Sequence, residues 1–184
     1  MKSSAVLLLV DFFNPRGFAG AFSRATLRAA ERTARLKARL GKLGVPAVYA
    51  NDNFGRWESE FAALVQQCQD TPGDVGKIGH ALAPQPGDRS VLKPRHSAFY
   101  QTPLTFLLQT LGARSLVLTG VSADSCIMFT SHDAYLRHFR LWIPSDCVAS
   151  TRPAYTRAAL AHMQRVLKAS VTPSTGAVPS FLRK

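Results

Sequence analysis

Ala5-Val6-Leu7-Leu8-Leu9-Val10-Asp11 is the stretch whose reading decides how this chain folds. Its apolar residues run without the polar alternation of a half-exposed strand, so both faces of the segment have to be buried, as in the middle of a parallel sheet. The run is far too short to cross a bilayer, and no charged, apolar and small-residue succession marks a signal peptide, so a cytoplasmic protein is expected. Further strand-like runs follow at 45–51, 90–93, 115–120 and 141–145, with a weaker one at 168–172. Helical patterns separate them. Strands alternating with helices predict βαβ units, and hence an α/β protein on a buried, six-stranded parallel sheet.

The first helical pattern covers 23–43, where Leu27, Ala30, Ala34 and Leu40 suit a buried stripe and Arg24, Arg28, Arg32, Arg35 and Arg39 line another face. Gly44 and Pro46 stop it. Other helices are expected at 57–69, 103–111, 124–139 and 153–167, each bounded by Gly, Pro or Asp. Residues 70–88 carry Thr71-Pro72-Gly73, Gly76-Lys77-Ile78-Gly79-His80 and Pro84-Gln85-Pro86-Gly87, and read as a long surface loop. A length of 184 residues suits one domain over 1–184. Its tail, 173–184, is small, polar and proline-broken, and fits either disorder or docking on a neighbouring subunit.

A hydrophobic fraction of 46% describes a globular chain rather than a disordered one. The three cysteines, Cys68, Cys126 and Cys147, cannot all pair with one another and show no metal-binding spacing, so free thiols are expected. Lys and Arg number 23 against 11 Asp and Glu, a net charge of +12. The bases are spread along helices without interleaved aromatics, which reads as a solvated surface rather than a nucleic-acid interface.

Ligands of open parallel sheets bind beyond the carboxyl ends of the strands, where the strand order reverses. Asp11 ends the first strand, Asp52 follows the second, Lys93 ends the third, and Gly120-Val121-Ser122-Ala123-Asp124-Ser125-Cys126 follows the fourth. A thiol at a helix start near an ammonium is expected to have a lowered pKa and to be reactive. Cys68 and Cys147 have no such loop and read as structural. Taken singly, Asp11 and Lys93 read as turn or cap residues; an acid, a base and a thiol at one sheet edge point to catalysis.

The segments Leu7-Leu8-Leu9-Val10-Asp11, Lys93-Pro94-Arg95-His96-Ser97-Ala98-Phe99 and Thr119-Gly120-Val121-Ser122-Ala123-Asp124-Ser125-Cys126 resemble the signature segments of the isochorismatase-like hydrolases, in the same order and at similar intervals. The resemblance implies a three-layer α/β/α sandwich with a Rossmann-like parallel sheet of order 3-2-1-4-5-6. It implies a catalytic group of Asp11, Lys93 and Cys126, in which Asp11 accepts the thiol proton and Cys126 attacks an acyl carbon to form a thioester. It also places a non-proline cis peptide at Val121-Ser122, with the backbone amides of Ser122 and Cys126 as an oxyanion hole. Homo-oligomers, dimers or tetramers, are implied on the same ground.

Two departures narrow this reading. The nicotinamidase branch holds a metal ion with an Asp-x-His pair after the second strand, but here Phe54 follows Asp52 at the histidine's place, and a phenyl ring cannot ligate. His80 reads as a surface histidine, and neither a metal nor another cofactor is expected. Residues 12–15 are Phe-Phe-Asn-Pro, without the glutamine frequent two residues after the aspartate. Phe13, Asp52, Phe54, Trp57, Phe99 and Tyr100 are the candidates for the substrate pocket. Arg95 and His96 could meet an anionic group, although single residues there are more often structural. His132 and His138 are assigned to packing or surface. Retention of Cys126 favours hydrolysis of a small molecule's C–N bond, amide or carbamate-like. The alternatives are vinyl-ether hydrolysis of the isochorismatase type and a non-enzymatic binding protein on the same fold.

Overall fold

β1, Ala5–Val10, is buried at every position, as its unbroken apolar run requires. Around it, the computed structural model, which describes residues 3–58 and 60–182, arranges β2 (Ala47–Asp52), β3 (Arg89–Lys93), β4 (Ser115–Val121), β5 (Arg140–Trp142) and β6 (Val148–Ala149). Every pairing is parallel, in the order β3-β2-β1-β4-β5, with β6 also beside β4.

Successive side chains of a strand point to opposite faces, and β1 divides accordingly. Leu7 and Leu9 pack with Ala29, Leu36 and Leu40 of α1 (Gly20–Gly41), Leu64 of α2 (Phe61–Gln69) and Ile78 of α3 (Asp74–Ala81). Val6, Leu8 and Val10 pack with Leu108 of α4 (Leu104–Leu111), Ala134 of α5 (Met128–Leu136) and Met163 of α6 (Pro153–Leu167). Helices thus cover both faces, giving the three-layer α/β/α architecture. Among the described residues no helix is long and apolar enough to cross a membrane.

Several elements differ in detail from the sequence expectation. The sixth position beyond β5 is held by a single parallel bridge, Trp142 to Ser170, instead of a strand over 168–172. β5 pairs with Ser115, Leu116 and Val117 of β4 and β6 with Gly120 and Val121, so the two short strands form one interrupted line along the same edge. The 70–88 segment is not all loop. It contains α3, and its glycines are packing sites: a Cβ at Gly76 would lie 2.3 Å from the Thr71 carbonyl oxygen, and one at Gly79 would lie 3.0 Å from the Gln69 nitrogen. On α1 the buried stripe is Thr26, Ala29, Ala30, Thr33, Leu36 and Leu40, with Leu27 and Ala34 only partly covered. The tail folds back on its own chain: Ser174 bonds Asp146 through both its N–H and hydroxyl, and Leu182 is buried.

Gly120 sets the spacing at the centre of the sheet. It pairs with Val10, has φ +131°, and a Cβ there would sit 1.9 Å from the Val10 carbonyl oxygen. Only glycine fits. The close approach lets the residues just past β1 and β4 share one locus, at the point where the strand order reverses.

Candidate active site

Asp11 leaves β1 in the left-handed region, with φ 53°, a conformation that aspartate tolerates better than most residues. Its Oδ1 accepts the N–H of Asp52 at 2.7 Å, which fixes the carboxylate above the end of β2. Lys93 ends β3, two strand positions from β1, about 9 to 10 Å across the sheet. Its long stem spans that gap: Nζ reaches Asp11 Oδ2 at 2.7 Å, donates to the Arg95 carbonyl at 3.1 Å, and lies 3.7 Å from Cys126 Sγ and 3.9 Å from Asp52 Oδ2. The lysine side chain is 0% exposed and that of Asp11 14%.

Cys126 lies in a π-turn, Ala123–Ile127, that leads directly into α5. Within it the Ser125 and Ile127 N–H groups both donate to the Ser122 carbonyl, and the Val121–Ser122 peptide bond is cis. The segment after Lys93 is stitched to α5 by Ser97 Oγ to Asp133 at 2.5 Å and by Ala98 N–H to Thr130 Oγ1 at 3.0 Å. These bonds hold His96 over the Cys126 thiol, its Nδ1 3.8 Å from Sγ and its ring 5.3 Å from that of Phe129.

The electrostatics follow from burial around a charged pair. Desolvation raises Asp11 above the usual carboxylate range against the opposing pull of Lys93 and of the Cys126 thiol, whose hydrogen it accepts. Burial by itself would lower Lys93, but Asp11, Cys126 and Asp52 outweigh it and hold the ammonium firmly charged. The thiol is pushed up to about 12, by burial first and by the Asp11 carboxylate second, with Lys93 opposing. That overturns the expectation of a lowered thiol pKa. The sulfur is desolvated and faces an aspartate, and these two effects exceed that of the ammonium.

A cavity of about 190 Å³ opens on this group, walled by Asn14, Phe18, Phe22, Asp52, Phe54, Val121 and Ser122. A second, of about 360 Å³, shares Asn14 and Phe54 with it and runs outward past Arg16 and Arg56. Of the expected pocket residues, Asp52 and Phe54 line the inner cavity. Phe13 does not: it is 1% exposed and packs on Tyr49 and Phe61, because Asn51 bonds both its N–H and its carbonyl and turns the ring inward. Phe99 is likewise buried, beside Phe139 on the α4–α6 face, while Trp57 and Tyr100 are exposed to solvent and line neither cavity. The sequence does not single out Asn14, Phe18 or Phe22: Phe18 precedes α1 and Phe22 lies in its first turn, and their rings meet 5.0 Å apart at the cavity wall. His80 lies exposed on α3, and among the described residues no three His, Cys, Asp or Glu side chains converge as a metal site.

Comparison with known proteins agrees with this architecture. The Isochorismatase domain family matches residues 5–175. The uncharacterized isochorismatase family protein YaaI of Bacillus subtilis is 34% identical over 173 residues, 93% of this chain and 94% of that protein. The ureidoacrylate amidohydrolase RutB of Methylorubrum extorquens is 40% identical over 73 residues, which cover 40% of this chain and 29% of RutB. Among solved structures, N-carbamoylsarcosine amidase from Thermoplasma acidophilum superposes with a TM-score of 0.74 at 24% identity, over 97% of this chain and 100% of that one. The chain belongs to the isochorismatase family of hydrolases.

Proposed function

We propose that this protein is a metal-independent cysteine hydrolase that cleaves a C–N bond, amide or carbamate-like, in a small molecule. The observation that carries the reading is that one fully buried ammonium, Lys93, holds both the Asp11 carboxylate and the Cys126 thiol at the mouth of a cavity. Similarity to an amidohydrolase and to an amidase supports the bond class.

The resting thiol is protonated, so the nucleophile is made during the reaction. Asp11, raised by burial, is a stronger base than an ordinary carboxylate and takes the proton from Sγ. Sulfur attacks the acyl carbon while Lys93 balances the thiolate charge, and the new oxyanion is received by the backbone amides of Ser122 and Cys126. Asp11 then hands its proton to the departing nitrogen as the C–N bond breaks. Water, deprotonated by Asp11, opens the thioester, and the proton returns to sulfur. Asp52 and Phe54 supply one potential ligand and a phenyl ring where a metal pair would need two donors, which supports a reaction carried by the thiol alone.

The test is incubation with a panel of small primary amides, ureido acids and N-carbamoyl amino acids, reading ammonia release and, after acid quenching, the mass of the Cys126 peptide. Ammonia release with an acyl adduct on Cys126, both lost in Cys126→Ala, is the expected result. Undiminished ammonia release in Cys126→Ala overturns the thioester route.

A further inference from the structure

The two helices packed behind the nucleophile carry a pair of histidines that the hydrolytic site does not use. His132 of α5 and His162 of α6 bring their Nε2 atoms within 3.1 Å, with ring centroids 5.2 Å apart. Both side chains are half-buried. The tautomer of His132 is set by its other nitrogen: Nδ1 lies 2.8 Å from the Met128 carbonyl, which also accepts the Ser131 hydroxyl at 2.7 Å. A carbonyl can only accept, so Nδ1 carries the proton and Nε2 presents its lone pair toward His162. A ring N–H held by a backbone carbonyl while the second nitrogen faces outward is the orientation that metal-binding histidines adopt.

We infer that His132 and His162 form a binding site for a divalent transition-metal ion of the Zn²⁺ type, chelated through the two Nε2 atoms, completed by water, and clamping α5 to α6. Two nitrogens 3.1 Å apart, each about 2.05 Å from one ion, subtend an angle of about 98°, between the octahedral and tetrahedral values. The nitrogens therefore already stand at chelating distance. Imidazole nitrogens suit Zn²⁺, Ni²⁺ and Cu²⁺ and do not suit the harder Mg²⁺ and Ca²⁺. No third His, Cys, Asp or Glu joins them among the described residues, so the ion keeps open positions for water.

Without the ion the same distance accommodates an N–H of His162 donated to the His132 lone pair. Binding moves that proton to Nδ1 of His162, so one hydrogen bond is exchanged for two metal–nitrogen bonds with no net proton released from the neutral pair. Both helices pack against the π-turn that carries Cys126, so the clamp stiffens the wall behind the thiol. The site stands apart from the hydrolytic reading and does not depend on it.

Zn²⁺ is titrated into the Cys126→Ser protein, which removes the half-exposed thiol as a competing ligand, and thermal unfolding is followed. The expected result is a Tm that climbs with the logarithm of free Zn²⁺, by about 3 to 6 °C where free Zn²⁺ stands roughly tenfold above the Kd. The rise should be lost when His162→Gln is added, a change that keeps an N–H donor for His132 but removes the imidazole. No rise, a rise that persists with His162→Gln, or an equal rise with Mg²⁺ overturns the inference. Should His162→Gln fail to fold, electron paramagnetic resonance of one equivalent of Cu²⁺ on the Cys126→Ser protein decides. Hyperfine coupling to two equatorial imidazole nitrogens supports the site, and one or none overturns it.

Discussion

Two thiols lie at the carboxyl end of the sheet, Cys126 in the π-turn after β4 and Cys147 just before β6, and burial pushes both up to about 12. Each also faces an aspartate, Asp11 for the first and Asp146 for the second. The neighbourhoods diverge from there. Asp146 is occupied by the N–H and hydroxyl of Ser174, none of the ion pairs among the described residues involves it, and Cys147 is 0% exposed. Cys126 has an ammonium 3.7 Å from its sulfur and opens on a cavity. The resting pKa therefore does not separate a nucleophile from a core thiol. What separates them is whether the charge formed after proton loss has a partner already in place and whether a substrate can reach it.

The largest test of that contrast is on turnover. Cys126→Ala is expected to lower it by about a thousandfold or more, the scale of losing a covalent nucleophile. Cys147→Ala should leave turnover within about twofold and lower stability to urea by about 1 to 2 kcal/mol, as a small core truncation does. Comparable losses of turnover in the two variants would break the comparison. The next effect is on stability and isolates the ammonium. Lys93→Met leaves the Asp11 carboxylate in a buried site without its counter-ion, so the urea midpoint should fall by the equivalent of about 3 to 5 kcal/mol. Adding Asp11→Asn should restore part of that loss, because the uncompensated charge is gone. A double variant no more stable than Lys93→Met would show that the lysine acts through packing alone.

The positions of Asp11, Lys93 and Cys126 are legible in the sequence because each follows an apolar run that has to be a buried strand, and strand ends in a parallel sheet share one edge. The pocket walls are not, since they depend on backbone turns that periodicity does not encode. At Asp11 the left-handed φ redirects the chain, and Phe13 goes into the core while Phe18 and Phe22 line the cavity. The thiol pKa is not legible either, because the burial and the facing carboxylate that raise it depend on the fold around Cys126. α3 was hidden by Gly76 and Gly79, which read as helix breakers and serve instead as points of close backbone contact. Ser170 lies where the sixth strand was expected, but one bridge to Trp142 is all that forms.

Two smaller measurements sharpen the contrast further. Thiolate absorbance should show no titration of Cys126 between about pH 6 and pH 10, since its pKa stands above the ordinary thiol value. Asp11→Asn removes a charge that raises the thiol and leaves Lys93 unopposed, so the titration should move down. Lys93→Met removes the opposing charge and should move it up. Shifts of the same sign in both variants would rule out the pairing. The smallest effect lies at the other thiol: Ser174→Ala frees Asp146 from one hydroxyl bond of 2.8 Å and should cost about 1 kcal/mol of stability. Turnover and the Cys126 titration should both stay unchanged. The two thiols are linked through the sheet by the Gly120 N–H, which donates to the Cys147 carbonyl at 3.0 Å. A loss of turnover in Ser174→Ala would mean that this bond transmits motion from the tail to the π-turn, so that the two neighbourhoods would have to be treated as one.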